Sequence, residues 1–277
     1  MAQKNIFYKR KLIKMIPKKI HYVWVGNNPK SQLILNCIES WKTQLPDYEL
    51  IEWGNESIKD IDIPYLHEAY EHKKWAFVSD VIRLYALYTQ GGIYLDTDVE
   101  VRDSFNSFLE HDFFSGYELH NNIYSPIVTA VMGASPQNSI IKDLLDNYKC
   151  NSFITDKNRF NLLPNTARVT KYFEQKFKIA PPYDGETTLY LTENSIIYPY
   201  YFFCTPKKNK PNYSIHLFDG SWIPGFSRRD KITFAGYSIA RFKRVANNEI
   251  LDLGISDQII LIINVSKNKK FALIRNG

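Results

Sequence analysis

The chain has 277 residues, 44% of them hydrophobic and 23% charged, with a net charge of +6. That length and composition suit one large packed domain, or one domain with a sizeable insertion, and exclude a fibrous or disordered polymer. Three cysteines (Cys37, Cys150 and Cys204) fall in no paired spacing, which excludes a disulfide scaffold and fits a reducing compartment.

In chain order, Ile20 to Gly26 reads as a first strand ending in glycine. Leu33, Cys37, Trp41 and Leu45 recur every four residues, one face of a helix stopped by Pro46. Tyr48 to Trp53 alternates as a second strand. Strand, helix, strand predicts a βαβ unit and a sheet with parallel strands. Ala69 to Thr89 predicts one helix, apolar almost all round and therefore buried, closed by Gln90-Gly91-Gly92. Ile93-Tyr94-Leu95 reads as a central strand running into Asp96-Thr97-Asp98.

Phe113–Tyr117 and Ile127–Met132 are further strand candidates. Ser135-Pro136 is expected to cap a helix whose core face is Ile140, Ile141, Leu144, Leu145 and Tyr148. The segment from Asn151 to Glu193 gives no clear period. Ile196–Phe203 and Tyr213–Phe218 read as strands, Tyr237–Ala246 as a helix, and Ile259–Val265 as a buried strand. That last run is far too short to span a bilayer as a helix, and the basic first residues lack the apolar core of a secretory signal. A cytoplasmic protein is expected.

Positive charge gathers at Lys9, Arg10, Lys11, Lys14, Lys18 and Lys19, and again at Arg241, Lys243, Arg244, Lys267, Lys269 and Lys270. A solvated face, a nucleic-acid patch and a surface for anionic lipid compete as readings. No zinc-finger, RRM or homeodomain pattern supports nucleic acid, and no GxxxxGK[ST] supports a P-loop.

A bare DxD carries little information, since roughly one is expected by chance in a chain of this length. Asp60-Ile61-Asp62 is a second one, read as a loop before Pro64. Context distinguishes Asp96 and Asp98. Strand alternation would put both on one face with Tyr94, at the end of a buried strand, where open α/β sheets bind ligands. Two adjacent carboxylates repel and need a cation. The strand has no Lys or Arg, so a hard divalent ion, Mg²⁺ or Mn²⁺, is the economical partner. A capped turn is the other reading. Asp80 and Arg83 lie one helical turn apart, as a surface ion pair, a buried pair or a ligand contact. His21 reads as a packed strand residue.

The runs Ile16–Gly26, Ala76–Tyr85 and Gly91–Val99 resemble the DXD sugar-binding region of the family 32 bacterial glycosyltransferases and, more distantly, the catalytic domain of the large clostridial glucosylating toxins. His216-Leu217-Phe218-Asp219-Gly220-Ser221-Trp222 resembles that family's C-terminal His…Ser-Trp element. The resemblance covers residues 16–225. It implies an α/β, GT-A fold with a Rossmann-like central mixed sheet flanked by helices. Residues 1–225 would be the catalytic domain, with its nucleotide-sugar half at about 16–135 and its acceptor half at about 136–225, and residues 226–277 a C-terminal extension within the same globule or against a membrane.

The resemblance further implies a UDP-sugar donor and a retaining transfer. Trp24 would stack on uracil. Asp80 and Arg83 would hold ribose and sugar hydroxyls, with Ser79 nearby, and Tyr94 would line the pocket. Asp96 would reach ribose and a metal-bound water, Asp98 the metal, and Ser221 and Trp222 the diphosphate. His216 reads either as a core residue or as a further metal ligand. Retention is compatible with same-face attack or with a covalent intermediate, for which Asp184 and Glu186 are the nearest acids; ordinary loop acids is the alternative. Where family members carry a Thr-Gly-Pro-like turn, this chain has Leu163-Pro164-Asn165-Thr166-Ala167, which leaves Asn165 as the acceptor-side candidate.

The expected activity is transfer of a hexose or N-acetylhexosamine to a glycan acceptor, polyprenyl-diphosphate-linked, for O-antigen or capsule, with the basic N-terminal residues at the inner leaflet. A toxin-like effector acting on a host protein, and a non-catalytic nucleotide-sugar-binding module, are the alternatives.

Overall fold

A computed structural model of the chain describes residues 15–120, 122–155, 159–219, 231–234, 237–243, 259–266 and 269–275. β1 (Lys19–Val23), α1 (Gln32–Gln44) and β2 (Glu49–Trp53) form the expected βαβ unit, β1 and β2 pairing in parallel. Ser31 caps α1 by accepting the Ile34 amide, and Ile34, Cys37, Ile38 and Trp41 bury its inner face. Leu33, expected on that face, lies beside it and is half-buried.

The single helix expected from Ala69 to Thr89 is two helices, α2 (Pro64–Glu71) and α3 (Trp75–Gln90). Pro64 opens α2, where its missing N–H costs nothing. The break falls at His72-Lys73-Lys74. Lys73 takes a positive φ of 55° there, and the Lys74 amide returns to the Ala69 carbonyl at 2.9 Å. Apolar spacing continues across this turn, so periodicity alone conceals it. Gly91 ends α3 at φ 65°, with the Pro136 ring packed so close that a Cβ would meet it at 2.6 Å. Only glycine serves there.

β3 (Gly92–Leu95) is buried throughout. After it come β4 (Val99–Val101), β5 (Phe113–Gly116), β6 (Glu118–His120), β7 (Ile123–Ser125) and β8 (Val131–Ala134). β8 begins later than the expected Ile127. α4 (Ser139–Lys149) buries the predicted face, but Asn138 caps it rather than Ser135: its side chain accepts the Ile140 and Ile141 amides. The unassigned middle of the chain holds α5 (Asn165–Phe177) and β9 (Leu189–Thr192). The strand expected at Ile196–Phe203 is β10 (Ser195–Tyr198) followed, after Pro199, by the helical turn α6 (Tyr200–Phe203). β11 (Ser214–His216) is shorter than expected.

The strands assemble as a seven-stranded mixed sheet in the order β2-β1-β3-β8-β5-β10-β9. β1 and β3 are parallel, and β8 runs antiparallel to both β3 and β5. β11 pairs antiparallel with β4 in a separate ladder. Helices cover the sheet and divide the core in two. Tyr94 packs with Val81, Leu84, Ile141 and Leu144 on one side, and Ile93 and Leu95 pack with Ile38, Trp41 and Phe108 on the other. Strand alternation sends neighbouring residues of β3 into opposite cores.

The terminal strands form a second sheet from β12 (Lys231–Phe234), β13 (Tyr237–Lys243), β14 (Ile259–Ser266) and β15 (Lys269–Arg275), in the order β12-β13-β15-β14. Two expectations change here. Tyr237–Lys243 is a strand rather than a helix, paired along its whole length with β15. Short mixed runs have no decisive period, and strand pairing settles them. The run Ile259–Val265 is a strand but not a buried one: Leu261 is 51% exposed and Val265 55%. Lys9, Arg10, Lys11, Lys14, Arg244 and Lys267 lie outside the described residues, whereas Lys18 pairs with Asp47 and Lys19 with Gln90. Cys37 and Cys204 are buried thiols and Cys150 is exposed, with no disulfide between them.

His21 is a structural residue, as expected. It is fully buried in β1, with Nε2 2.8 Å from the Gly91 carbonyl, while Trp53 Nε1 donates to its Nδ1 at 3.1 Å. Those partners suit a neutral ring protonated on Nε2. Burial lowers its pKa to about 4. The unfolded ring binds a proton near pH 6.5, so its stabilising contribution is complete above that pH and is lost as pH falls towards 4. Urea unfolding across this window should show a loss on the order of 3 kcal/mol, and His21→Gln should flatten the slope.

Candidate active site

The site grows from the carboxyl end of β3. The strand stops at Leu95, and Asp96-Thr97-Asp98 is a turn closed by the Val99 amide donating to the Asp96 carbonyl at 3.0 Å. The two carboxylates therefore converge through this turn, not through strand alternation as expected. On the α3 side, Arg83 Nη2 lies 3.0 Å from Asp80 Oδ1 and 3.2 Å from Asp96 Oδ1. Arg83 Nη1 donates to the Thr129 carbonyl at 2.8 Å, and the guanidinium sits 4.6 Å over the Tyr94 ring. Tyr94 donates its hydroxyl to Asp96 Oδ1 at 2.8 Å.

Asp80 and Arg83 are 7% and 5% exposed. This is a buried pair and not a solvated helix contact. Burial raises the Asp80 carboxyl above its usual range; the Arg83 charge opposes the shift and the Asp96 charge reinforces it. Among the described residues, Arg83 Nε is buried without a hydrogen-bond partner. An orphaned donor of this kind is costly unless a ligand meets it.

The opposite wall comes from β11, whose pairing with β4 sets His216 opposite Val99. His216 Nε2 lies 3.5 Å from Asp98 Oδ1, while Asp98 Oδ2 accepts the Asp219 amide at 2.8 Å. Although burial works against it, the Asp98 carboxylate and a contact with Cys204 raise the His216 pKa to about 10. Burial likewise opposes the net lowering of Asp98 that His216 produces. One ligand atom from each of Asp96, Asp98 and His216 lies within 4.8 Å of the others. Two carboxylate oxygens and one imidazole nitrogen form a donor set suited to Mn²⁺ or Mg²⁺, with room for water and phosphate oxygens.

Trp24 follows β1, half-buried. Its indole donates to the Asn28 carbonyl at 3.0 Å and Lys30 Nζ lies 5.5 Å from the ring centroid. Ser79 is beside Asp80 on α3, its hydroxyl donating to the Ala76 carbonyl at 2.8 Å. Asn165 opens α5 and is 6% exposed. Its Oδ1 accepts from Tyr148 at 3.1 Å, and its Nδ2 has no hydrogen-bond partner among the described residues. Asp184 is exposed and accepts from Thr187, whereas Glu186 forms an ion pair with Lys207. Ser221 and Trp222 lie outside the described residues.

Two residues join the site without having been anticipated. Glu118, on β6, is held above the usual carboxylate range by burial; His216 opposes that shift and Asp96 adds to it. Phe218 stacks on His120 at 4.4 Å and packs on His216 at 3.9 Å, so it bridges β6 to the end of β11. Phe218 lies within the His216–Trp222 element but is not one of its marked positions, and Glu118 belongs to no motif. Only the position of Glu118 just beyond a predicted strand marked it.

Residues 31–115 match the family model described as a glycosyltransferase sugar-binding region containing the DXD motif. That span contains Asp80, Arg83, Asp96 and Asp98, and omits His216. The chain is 25% identical over 272 residues to Subversion of eukaryotic traffic protein A of Legionella pneumophila, covering 77% of this chain and 40% of that protein. It is 32% identical over 103 residues to inositol phosphoceramide mannosyltransferase 3 of Schizosaccharomyces pombe, covering 35% of this chain and 28% of that one. An uncharacterized glycosyltransferase of Acanthamoeba polyphaga mimivirus is 24% identical over 76% of this chain and 85% of its own. The chain thus spans well under half of the first two relatives. Among solved structures, the PaToxG glycosyltransferase aligns at a TM-score of 0.43 with 20% identity, over 60% of this chain and 71% of that one. A glycosyltransferase involved in glycosylating the major capsid of PBCV-1 aligns at 0.40 with 15% identity, over 73% and 94%.

Arg83→Met would leave Asp80 and Asp96 facing each other without their shared cation. The variant should lose about 3–5 kcal/mol of stability in urea unfolding, and Asp80→Asn in the same chain should restore part of it.

Proposed function

We propose that this chain is a metal-dependent, retaining glycosyltransferase of GT-A type that moves a hexose or N-acetylhexosamine from a UDP-sugar. The convergence of Asp96, Asp98 and His216 next to the Asp80–Arg83 pair carries the proposal. The matched DXD region and the glycosyltransferase names of the relatives support it.

When a glycosyl bond to a nucleoside diphosphate breaks, negative charge collects on the departing diphosphate. A divalent ion held by Asp96, Asp98 and His216 would supply the compensating charge without a proton. The chain's own groups then have distinct tasks. Trp24, at the end of β1, offers a ring face to the uracil. The buried Arg83 fork, with its free Nε, and the Asp80 carboxylate hold ribose and sugar hydroxyls, with Ser79 alongside. Tyr94 keeps Asp96 oriented through its hydroxyl. Asn165, Asp184 and Glu186 stand as acceptor-side candidates, and Ser221 and Trp222 as diphosphate contacts. Because Arg83, Asp80 and Asp96 are already held to one another and Tyr94 to Asp96, little reorganisation of these groups remains for the bond-breaking step.

The acceptor we propose is a lipid-linked glycan of O-antigen or capsule type, met at the cytoplasmic face of the membrane. The lipid-directed name of the Schizosaccharomyces pombe relative supports a lipid acceptor. Similarity along 77% of the chain to Subversion of eukaryotic traffic protein A favours a second reading, glycosylation of a host protein. Product analysis with glycolipid extracts against candidate host proteins separates the two. For the shared chemistry, Asp98→Asn should abolish Mn²⁺-stimulated hydrolysis of UDP-sugars, a fall of at least about a hundredfold, while the thermal midpoint stays within a few degrees. Wild-type rates in that variant, or full activity after chelation, would remove the metal from the proposal.

A further inference from the structure

The second sheet carries a surface that the transfer site does not account for. Between Leu261 and Asn264 the β14 ladder is regular, with Leu261 opposite Leu273, Ile262 opposite Ala272 and Ile263 opposite Phe271. The next strand over sets Ile239 opposite Leu273. Register partners share a face and successive residues alternate. Ala272 is fully buried, which marks its face as the inner one. Leu261, Ile263, Phe271, Leu273 and Ile239 therefore share the outer face as an apolar patch, which Arg241, opposite Phe271, borders on the same face. Leu261 and Ile263 are each 51% exposed, and the other three of the patch are half-buried. The outer face of a one-sided antiparallel sheet is ordinarily polar.

The charge of these strands is as one-sided as their apolarity. β12 to β15 contain Lys231, Arg241, Lys243, Lys269, Lys270 and Arg275, and no aspartate or glutamate. An aliphatic face within a wholly basic sheet matches the two components of an anionic bilayer surface: acyl chains just below a layer of phosphates. We infer that the β14–β15 face is a docking surface for an anionic lipid bilayer.

A second copy of the chain fits less well. β14 is an edge strand, but its register shifts between Ile259 and Leu261 and again between Asn264 and Ser266. Bulges of this kind bend an edge and oppose edge-to-edge pairing. Face-to-face pairing would set two sheets of purely positive charge against each other. No helix among the described residues is long and apolar enough to cross a membrane. The inference goes beyond the transferase proposal and does not depend on it, since vesicle binding needs neither donor nor acceptor.

Co-sedimentation of the full chain with phosphatidylcholine vesicles, with and without phosphatidylglycerol, tests it. Binding should require phosphatidylglycerol and weaken as salt rises. The neutral pair Leu261→Ser and Ile263→Ser should lower vesicle affinity about tenfold or more, with an unchanged urea midpoint because both side chains are already exposed. Arg241→Gln with Lys269→Gln, which the register puts on the outer face with Phe271, should cost about fivefold per residue on anionic vesicles and flatten the salt dependence. Three results would each overturn the inference. The wild-type chain could ignore phosphatidylglycerol vesicles. The serine pair could bind like the wild type, which would leave the basic N-terminal residues as the anchor. Sedimentation could also reveal a dimer that the serine pair dissociates.

Discussion

The structure turns on one buried guanidinium. Arg83 touches Asp80 and Asp96, caps the Tyr94 ring and donates to the Thr129 carbonyl, which ties α3, β3 and the segment before β8 to a single cation. Two carboxylates this close and this dry would otherwise repel or take up protons. The same cation that makes the packing tolerable also holds Asp96 at the mouth of the site, so fold stability and ligand geometry are not separable there. A buried ion pair is a weak source of net stability, whereas removing one partner is costly. Its place in a core of aliphatic and aromatic side chains is better explained by what it positions.

The second constraint is the short ladder between β4 and β11. These strands are far apart in sequence, and their pairing alone carries His216 to Asp98. Backbone contacts lock the approach: the Leu217 amide donates to the Asp98 carbonyl, the His216 amide to the Cys204 carbonyl, and the Asp219 amide to the Asp98 carboxylate. Phe218 then closes against His120 of β6. A cation bound between Asp96 and His216 would in turn bridge the sheet to this late segment, so occupancy and closure of the segment should reinforce each other.

How far the residues alone announced this outcome varied along the chain. The first βαβ unit was legible because Leu33 to Leu45 has a clean helical spacing and its flanking strands are short and β-rich. The face of α4 was legible for the same reason, yet its cap was not: Ser135 and Asn138 are both good caps, and only the local backbone chooses between them. The split between α2 and α3 was hidden because the apolar pattern runs on through His72-Lys73-Lys74. β13 was mistaken for a helix and β14 for a buried strand, since neither error can be detected without knowing what lies opposite each residue.

The sequence by itself determined the chemistry on offer: which carboxylates and guanidinium sit in apolar surroundings, and that Asp96 and Asp98 close a buried strand as a paired carboxylate motif. Periodicity and charge act over a few residues, so they can be read along a line. Tertiary structure decided the partners. Arg83 bridges to Asp96 as well as Asp80, Asp96 and Asp98 meet through a turn, His216 arrives from a distant strand, Glu118 joins them, and Leu261 and Ile263 remain outside. Those outcomes depend on which strands pair and which face each residue takes, and a register shift of one residue reverses the face without altering the sequence.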